Sequence, residues 1–440
     1  MLHELVRHAK HLVRQLLDWS VSPSLARLLG EPFFSLLGLR QGVKTTDITR
    51  VKRLLVVRLD EIGDVVMTTP FLRELRRNLP KAWITVIVKP SVWNLMELCP
   101  HVDEVLTYDW STHGRLWQVR RHWRASRLIW GRLWRRRFDL AIVPRWDADR
   151  YHGAFLAYFA GVPWRVGYAE RGPGRKPGPY GGSDALFTHL VPGSNLKHEV
   201  EHNLDIIRFM GGMVEEQRLE LWVGQDDEAF AETVLAQYAV RPGESVIGLG
   251  PSSGNSYLKQ WPLSNFIDLA LWLRTEYGHR ILVIGAVGEE ALGWEIQRTL
   301  GSSAINVVGK TTLRQMAALL KRCCLYVGND AGPMHVAAAM GTPVLALFGP
   351  SCHHRFRPWG DEHRVMWPAP ACGPCVTAQH VSRCSRCNFD QPQCMIAITV
   401  EQVKEAVAAQ LQAQRSRKEL KRMHGNAGRS LAPHDHSFPL

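Results

Sequence analysis

A chain of 440 residues, 45% hydrophobic and 22% charged, is too long for one ordinary domain and apolar enough to build a core, which excludes general disorder. Its formal net charge of +13 favours anionic partners such as nucleic acid, an acidic membrane surface or a phosphorylated substrate. No long apolar run is present and charges interrupt the N-terminal apolar stretch, so neither a spanning helix nor a secretory signal is predicted; a cytoplasmic location is expected, where the nine cysteines serve as thiols or metal ligands rather than disulfides.

Residues 1–50 read as a basic amphipathic extension. Leu2, Leu5, Val6, Ala9, Leu12, Val13, Leu16 and Leu17 recur at helical spacing, with Arg7, Lys10, His11 and Arg14 on the other side. Such a helix either packs on its own protein or lies in a membrane interface. Residues 51–225 alternate strands and helices. Leu54–Val57, Ile84–Val88, Val105–Leu106 and Leu140–Val143 read as buried strands. After the first, Thr69 is placed to cap a helix whose first turn holds Pro70 and whose apolar face is Leu72, Leu75 and Leu79. The segment from Glu170 to Ser183, rich in Gly, Pro and Arg, reads as a loop. Alternation restarts over residues 226–414, with strands at Val246–Leu249, Ile281–Ile284, Leu325–Val327 and Val344–Phe348. The polar stretch 415–440 reads as a disordered tail. The fold class is α/β: two Rossmann-like units, each a parallel sheet covered by helices, facing a ligand cleft.

Three strand-to-helix segments carry candidate chemistry. The first is Arg58-Leu59-Asp60-Glu61-Ile62-Gly63-Asp64. Gly63 permits close backbone approach, and Asp64 at a helix start either acts as general base on a hydroxyl or merely caps the helix. The second runs from Gly250 to Pro262 and offers Ser252, Ser253 and Lys259. It suits a diphosphate, with Lys259 as a mobile point charge, or is an ordinary polar loop. The third is Gly328-Asn329-Asp330-Ala331-Gly332-Pro333-Met334-His335, whose helix start presents free N–H groups that suit phosphate. No G-x-G-x-x-G follows the first strand, which disfavours a standard dinucleotide site.

These three segments, in this order, resemble glycosyltransferase family 9, which includes the ADP-heptose:lipopolysaccharide heptosyltransferases; the resemblance covers about residues 51–400. It implies the GT-B fold, an inverting reaction and no obligatory metal. It further implies Asp64 as the base that deprotonates the acceptor hydroxyl and Lys259 as the cation that neutralises the donor phosphates. Asp330, Ala331, Gly332 and His335 would lie at the donor sugar and diphosphate; many members carry Thr where this chain has Ala331. Glu289, in preference to Glu290, resembles the acidic residue that holds the donor nucleoside. Ser252 and Ser253 at the donor, and Arg58 and Gly63 at the acceptor, would assist positioning. The implied partners are a nucleotide-sugar donor, ADP-heptose first, and a phosphorylated glycolipid acceptor reached at the inner face of the cytoplasmic membrane.

Residues 113–137 hold nine arginines, four tryptophans and no acid. Leu116, Val119, Trp123, Trp130, Leu133 and Trp134 form a helical stripe beside Arg120, Arg121, Arg124 and Arg127. This is either an ordinary amphipathic helix or a docking surface for a phosphorylated glycolipid. Basic and aromatic residues together also suit single-stranded nucleic acid, but the sugar-transfer segments account for the chain better and no nucleic-acid partner is expected. Asp147-Ala148-Asp149 is a D-x-D, the metal-holding pattern of another glycosyltransferase class, read here as surface. Cys372, Cys375, Cys384 and Cys387, as paired C-x-x-C with Cys394 beyond, suit a small structural zinc site or else free thiols. Cys99, Cys323, Cys324 and Cys352 read as core or incidental residues. The competing functions are a nucleotide-sugar epimerase on the same fold, a transferase using a different nucleotide sugar, and a non-catalytic membrane-associated binding protein.

Overall fold

The computed structural model describes residues 23–36, 47–111, 117–146, 149, 151–170, 182–193, 195–254, 256–369, 372, 387 and 389–427. The predicted helix over Leu2–Leu17, most of the glycine-rich loop, Leu116, Asp147, Cys375 and Cys384 lie outside the described residues. Among the described residues no helix is long and apolar enough to cross a membrane.

Short apolar runs become parallel strands because helices cover both faces of each sheet, leaving every side chain of the run buried. In the first unit the strands are β1 (Arg53–Arg58), β2 (Trp83–Val88), β3 (Glu104–Thr107), β4 (Leu140–Val143), β5 (Trp164–Tyr168) and β6 (His189–Val191). They order as β3-β2-β1-β4-β5-β6, with Val57 opposite Ile87 and Val56 opposite Ile142 in register. The second unit comprises β7 (Val246–Gly250), β8 (Arg280–Val283), β9 (Ala304–Asn306), β10 (Leu325–Asn329), β11 (Val344–Leu347) and β12 (Arg364–Met366). Its order, β12-β11-β10-β7-β8-β9, is the same doubly wound pattern. In each sheet the order reverses beside the unit's first strand, between β1 and β4 and between β7 and β10. Ligands of open α/β sheets bind beyond the strand ends at that reversal.

The helices that carry the candidate chemistry start at those ends. Helix α1 (Ile62–Val66) and α2 (Thr69–Asn78) follow β1, and α3 (Glu199–Phe209) closes the first unit. Helix α4 (Gly332–Ala339) follows β10, α5 (His353–Phe356) follows β11, and α6 (Val400–Ala427) ends the described chain. Leu72, Leu75 and Leu79 are buried as expected. Thr69 is not the cap: Thr68 holds that position, and the Thr69 hydroxyl donates to the Val66 carbonyl at 2.9 Å. Pro70 falls in the first turn, where a missing N–H costs nothing.

Four strands were not marked in the sequence, and two further expectations need correction. The strands β5, β6, β9 and β12 do not stand out as apolar runs; Arg165, His189, Asn306 and Arg364 fall within them, and all four have only three to five residues. The stretch from 415 is helical as far as Ala427, because its Arg, Lys, Glu, Leu and Met residues are strong helix formers despite the polar composition and the helix is anchored earlier by buried Val403, Val407 and Leu411. On the basic helix Trp117–Leu128 and its continuation, the buried face is Arg121, Ala125, Ile129 and Leu133, whereas Val119, Trp123 and Trp130 are exposed. Arg121 turns inward and lies over the Trp110 ring.

Candidate functional site

Asp64 sits in the first turn of α1, just beyond β1, and keeps about a quarter of its side chain open. It makes no capping bond, and the cap position belongs to Glu61. Burial dominates its environment and pushes the carboxyl up. Arg58 opposes this from 3.6 Å and Glu199 reinforces it, leaving a carboxyl that titrates at about 6. Such a group is ionised at neutral pH yet far more basic than an exposed aspartate.

Arg58, named from the sequence as an acceptor-positioning residue, is buried instead. Its guanidinium donates to the Pro144 carbonyl at the end of β4 and, at 2.8 Å, to Glu199 Oε1. It also lies 3.3 Å from Asp60, which is paired in turn with Arg145. Arg58 therefore ties the ends of β1 and β4 to α3 and presents charge to Asp64 from behind.

The second unit meets the first at two glycines. A Cβ on Gly63 would stand 2.6 Å from His335 Cδ2, and one on Gly332 would stand 2.8 Å from Ile62 Cβ. Glycine at both positions lets the starts of α1 and α4 touch, and so places Asp64 close to the third segment. There Lys259 Nζ donates to Asp330 Oδ2 at 2.7 Å. Burial pushes the Asp330 carboxyl up, but Lys259 outweighs it and holds the group below its ordinary value. His335 is buried; desolvation brings it down to about 4, so the ring is neutral at pH 7. Its Nδ1 has no hydrogen-bond partner among the described residues, a polar atom left for something else to satisfy. Ala331 stands at the cap position of α4 with no polar side chain to occupy the helix N–H groups.

The loop between β7 and Pro262 is fixed by Asn329, a residue the sequence reading passed over although it lies inside the third segment. Its amide donates to the Pro251 carbonyl at 2.9 Å and its Oδ1 accepts from Trp261 N–H at 3.0 Å. Trp261 is buried and its indole donates to the Ile398 carbonyl. Ser252 bonds directly to Glu289, which also accepts from Ala286 N–H. Glu290 turns back onto Gly288 N–H, so Glu289 is the acid that faces the strand end. Ser253 bonds to the Ser256 carbonyl and shapes its own loop.

A model of glycosyltransferase family 9 (heptosyltransferase) matches residues 127–385. The chain belongs to glycosyltransferase family 9. Among curated relatives it is 28% identical over 367 residues to the lipopolysaccharide heptosyltransferase 2 of Escherichia coli strain K12, covering 82% of this chain and 98% of that one. It is 24% identical over 329 residues to the lipooligosaccharide heptosyltransferase 2 of Haemophilus influenzae, covering 71% and 88%. Among solved structures, a glycosyltransferase family 9 member from Veillonella parvula overlays with a TM-score of 0.66 at 21% identity, over 83% of this chain and 99% of that one. The E. coli ADP-heptose lipopolysaccharide heptosyltransferase II gives 0.61 at 23% identity, over 82% and 99%. The fold is accordingly GT-B, and the protein is a glycosyltransferase.

Within this family 9 enzyme, the D-x-D has a structural occupation. Asp149 accepts from the N–H groups of Tyr151, Gly153 and Ala154 at the start of the helix Gly153–Phe159. Of the four predicted zinc ligands, Cys372 and Cys387 are described. Burial raises the Cys394 thiol, and both of these cysteines raise it further, which places them in its neighbourhood. Among the described residues no group of three or more His, Cys, Asp or Glu is arranged to hold a metal. Cys99, Cys323 and Cys352 are buried, as a core role requires.

Replacing Lys259 by Met strands Asp330 in a buried site and removes the cation bonded to it. A charge-assisted contact of this type contributes about 1.5–3 kcal/mol. Lys259→Met is therefore expected to weaken ADP binding about 10- to 100-fold in titration calorimetry; unchanged affinity would remove Lys259 from the donor site.

Proposed function

We propose that the enzyme transfers a heptose, with inversion, from ADP-heptose to a hydroxyl of a lipopolysaccharide core or similar glycan, with Asp64 as general base. The observation that carries this reading is the ionisable Asp64, held open at the end of β1 against the start of α4. The curated relatives of E. coli and H. influenzae are lipopolysaccharide and lipooligosaccharide heptosyltransferases, and a heptosyltransferase solved with ADP shares the fold with a TM-score of 0.59.

In this mechanism the donor diphosphate lies over the start of α4, where free N–H groups and the helix dipole favour negative charge. Lys259 neutralises it, with Asp330 holding the ammonium in place. The His335 Nδ1 finds its missing partner on the donor. Glu289, steadied by Ser252, receives the nucleoside. The acceptor hydroxyl enters from the first unit and attacks the anomeric carbon from the face opposite the diphosphate. Its proton passes to Asp64, while the charge that develops on the leaving ADP is met by Lys259 and the helix. No step calls on a metal.

The acceptor side is a phosphorylated glycolipid approached from the membrane surface. Trp123 and Trp130 are 62% and 51% exposed, with Arg120, Arg127 and Arg132 exposed around them, a combination that seats in an anionic interface. The paired C-x-x-C segment would hold a structural zinc through thiolates, a soft ligand set that zinc favours.

Base catalysis contributes about 10²–10⁴-fold, so Asp64→Asn is expected to lose that much turnover while binding ADP normally. In the intact enzyme kcat/KM should fall as pH drops through about 6, because protonation removes the base. The assay mixes enzyme, ADP-heptose and a truncated lipopolysaccharide, and weighs the acceptor by mass spectrometry. A mass gain of one heptose is the expected result, and near-normal turnover by Asp64→Asn would dismiss the base. Conversion of the nucleotide sugar to an epimer without acceptor, with no net nucleotide release, would instead favour an epimerase.

Reversing Arg120, Arg127 and Arg132 to Glu should abolish co-sedimentation with phosphatidylglycerol vesicles; retained binding would dismiss the membrane face. Metal analysis of freshly purified protein should return about one zinc per chain, and its absence would dismiss the cysteine site.

A further inference from the structure

Glu199 opens helix α3, and its side chain is 1% exposed. A carboxylate buried to this degree is costly unless its oxygens are paired. Both are. Oε1 accepts from Arg58 Nη2 at 2.8 Å, and Oε2 accepts from Arg355 Nε and Nη2 at 2.8 and 2.7 Å. Arg58 belongs to the first unit. Arg355 lies on α5 of the second, 156 residues further along, with its guanidinium against the Trp146 and Phe356 rings. Burial pushes the Glu199 carboxyl up, but Arg355 and Arg58 outweigh it and hold it well below the usual carboxylate range, so it stays ionised wherever the enzyme works. The same Arg58 nitrogen that meets Glu199 stands 3.6 Å from Asp64 Oδ1.

We propose that Glu199 is a positioning residue for sugar transfer: by holding Arg58 on one oxygen and Arg355 on the other it takes up their charge, so that Asp64 meets an electrically balanced site only when the second unit is seated on the first. The inference rests on the reading of Asp64 as base. The neighbouring contacts support it. His198, beside Glu199, bonds from Nε2 to the Arg357 carbonyl at 2.8 Å and packs on Trp359, whose indole donates to the Gln217 carbonyl. The segment around Arg355 is thus fastened to the first unit at three points.

The remaining groups around Asp64 are accounted for. Asp60 is shared by Arg58 and Arg145, and Glu61 is paired with Lys89. From α4, His335 is neutral. On α3, burial brings His198 down to about 3 and His202 down to about 4, so both are neutral at pH 7. Across the cleft, Lys259 is bonded to Asp330. Glu199 and the two arginines are therefore the charges that set the balance.

Two variants should move the acid limb of the kcat/KM profile in opposite directions, which a purely structural role would not do. Glu199→Gln leaves two guanidinium groups facing Asp64. Its limb should move to lower pH by about one unit or more, by the Coulomb interaction at this range, with a lower plateau. Arg355→Gln removes one cation from the balance, and its limb should move to higher pH. Glu199→Asp keeps the charge but withdraws it by one methylene, so its limb should fall between wild type and Glu199→Gln. Folding is checked by circular dichroism and ADP binding. Removing one partner of a buried pair is strongly destabilising, so Glu199→Asp decides the matter if the other two do not fold. An unmoved limb in a folded Glu199 variant, or shifts of the same sign in Glu199→Gln and Arg355→Gln, would overturn the inference. Asp64→Asn in the same assay separates the two readings. A limb near pH 6 that survives in Asp64→Asn belongs to another group and defeats the base itself; a limb lost there but unmoved in Glu199→Gln defeats only the role of Glu199.

Discussion

A carboxylate removed from water is stable only if the protein replaces its lost solvation with fixed, opposite charge. Glu199 meets that condition with a guanidinium from each half of the molecule. The arrangement of the cleft follows. Arg58 cannot swing toward the acceptor because it is committed to Glu199 and to the Pro144 carbonyl. The turn at residues 58–64 is thereby fixed against the end of β4. Arg355 cannot leave without exposing an unpaired buried charge, so the second unit is held with α4 against α1. Two glycines then allow the helix starts to touch. The balance between these elements is electrostatic at one end and steric at the other.

The parts of this arrangement that are local in sequence were legible. Leu54–Val57 and Val344–Leu347 announce buried parallel strands because four consecutive apolar residues with helices on both sides have few other uses. Gly63, Asp64, Lys259, Asp330 and His335 could be singled out because each follows a strand within a short segment. The structure bonds Lys259 to Asp330 and sets Gly63 against His335. Strands such as Trp164–Tyr168 were not legible. Arg165 interrupts the run, and its burial is made tolerable by partners such as the Leu186 and Val162 carbonyls, which a reader of the linear chain cannot see.

Glu199 and Arg355 belong to the same illegible class. Neither sits in a Gly-rich turn or at a motif spacing, and their pairing joins residues 156 positions apart. Arg58 was noticed for its place after β1, but the direction of its side chain depended on that distant partner. Trp123 and Trp130 show the converse failure. Their spacing suggested an apolar stripe, yet the helix turned its small and aliphatic residues, Ala125, Ile129 and Leu133, inward because they fit against the sheet. Periodicity identified the helix but not which of two plausible faces would pack.

The matching strand order of the two sheets has a consequence for how this enzyme can change. On the reading proposed above, each substrate is handled by loops at the strand ends of its own sheet, and the two sets of loops are carried by separate units. The segments after β3 and β4 can be lengthened, shortened or recharged to admit a different sugar acceptor without disturbing Asn329, Trp261 or the turn that holds Lys259. On that reading acceptor choice and donor choice are separable traits, free to evolve or be exchanged as modules, so long as the first half still offers Glu199 and the second still offers Arg355 to it.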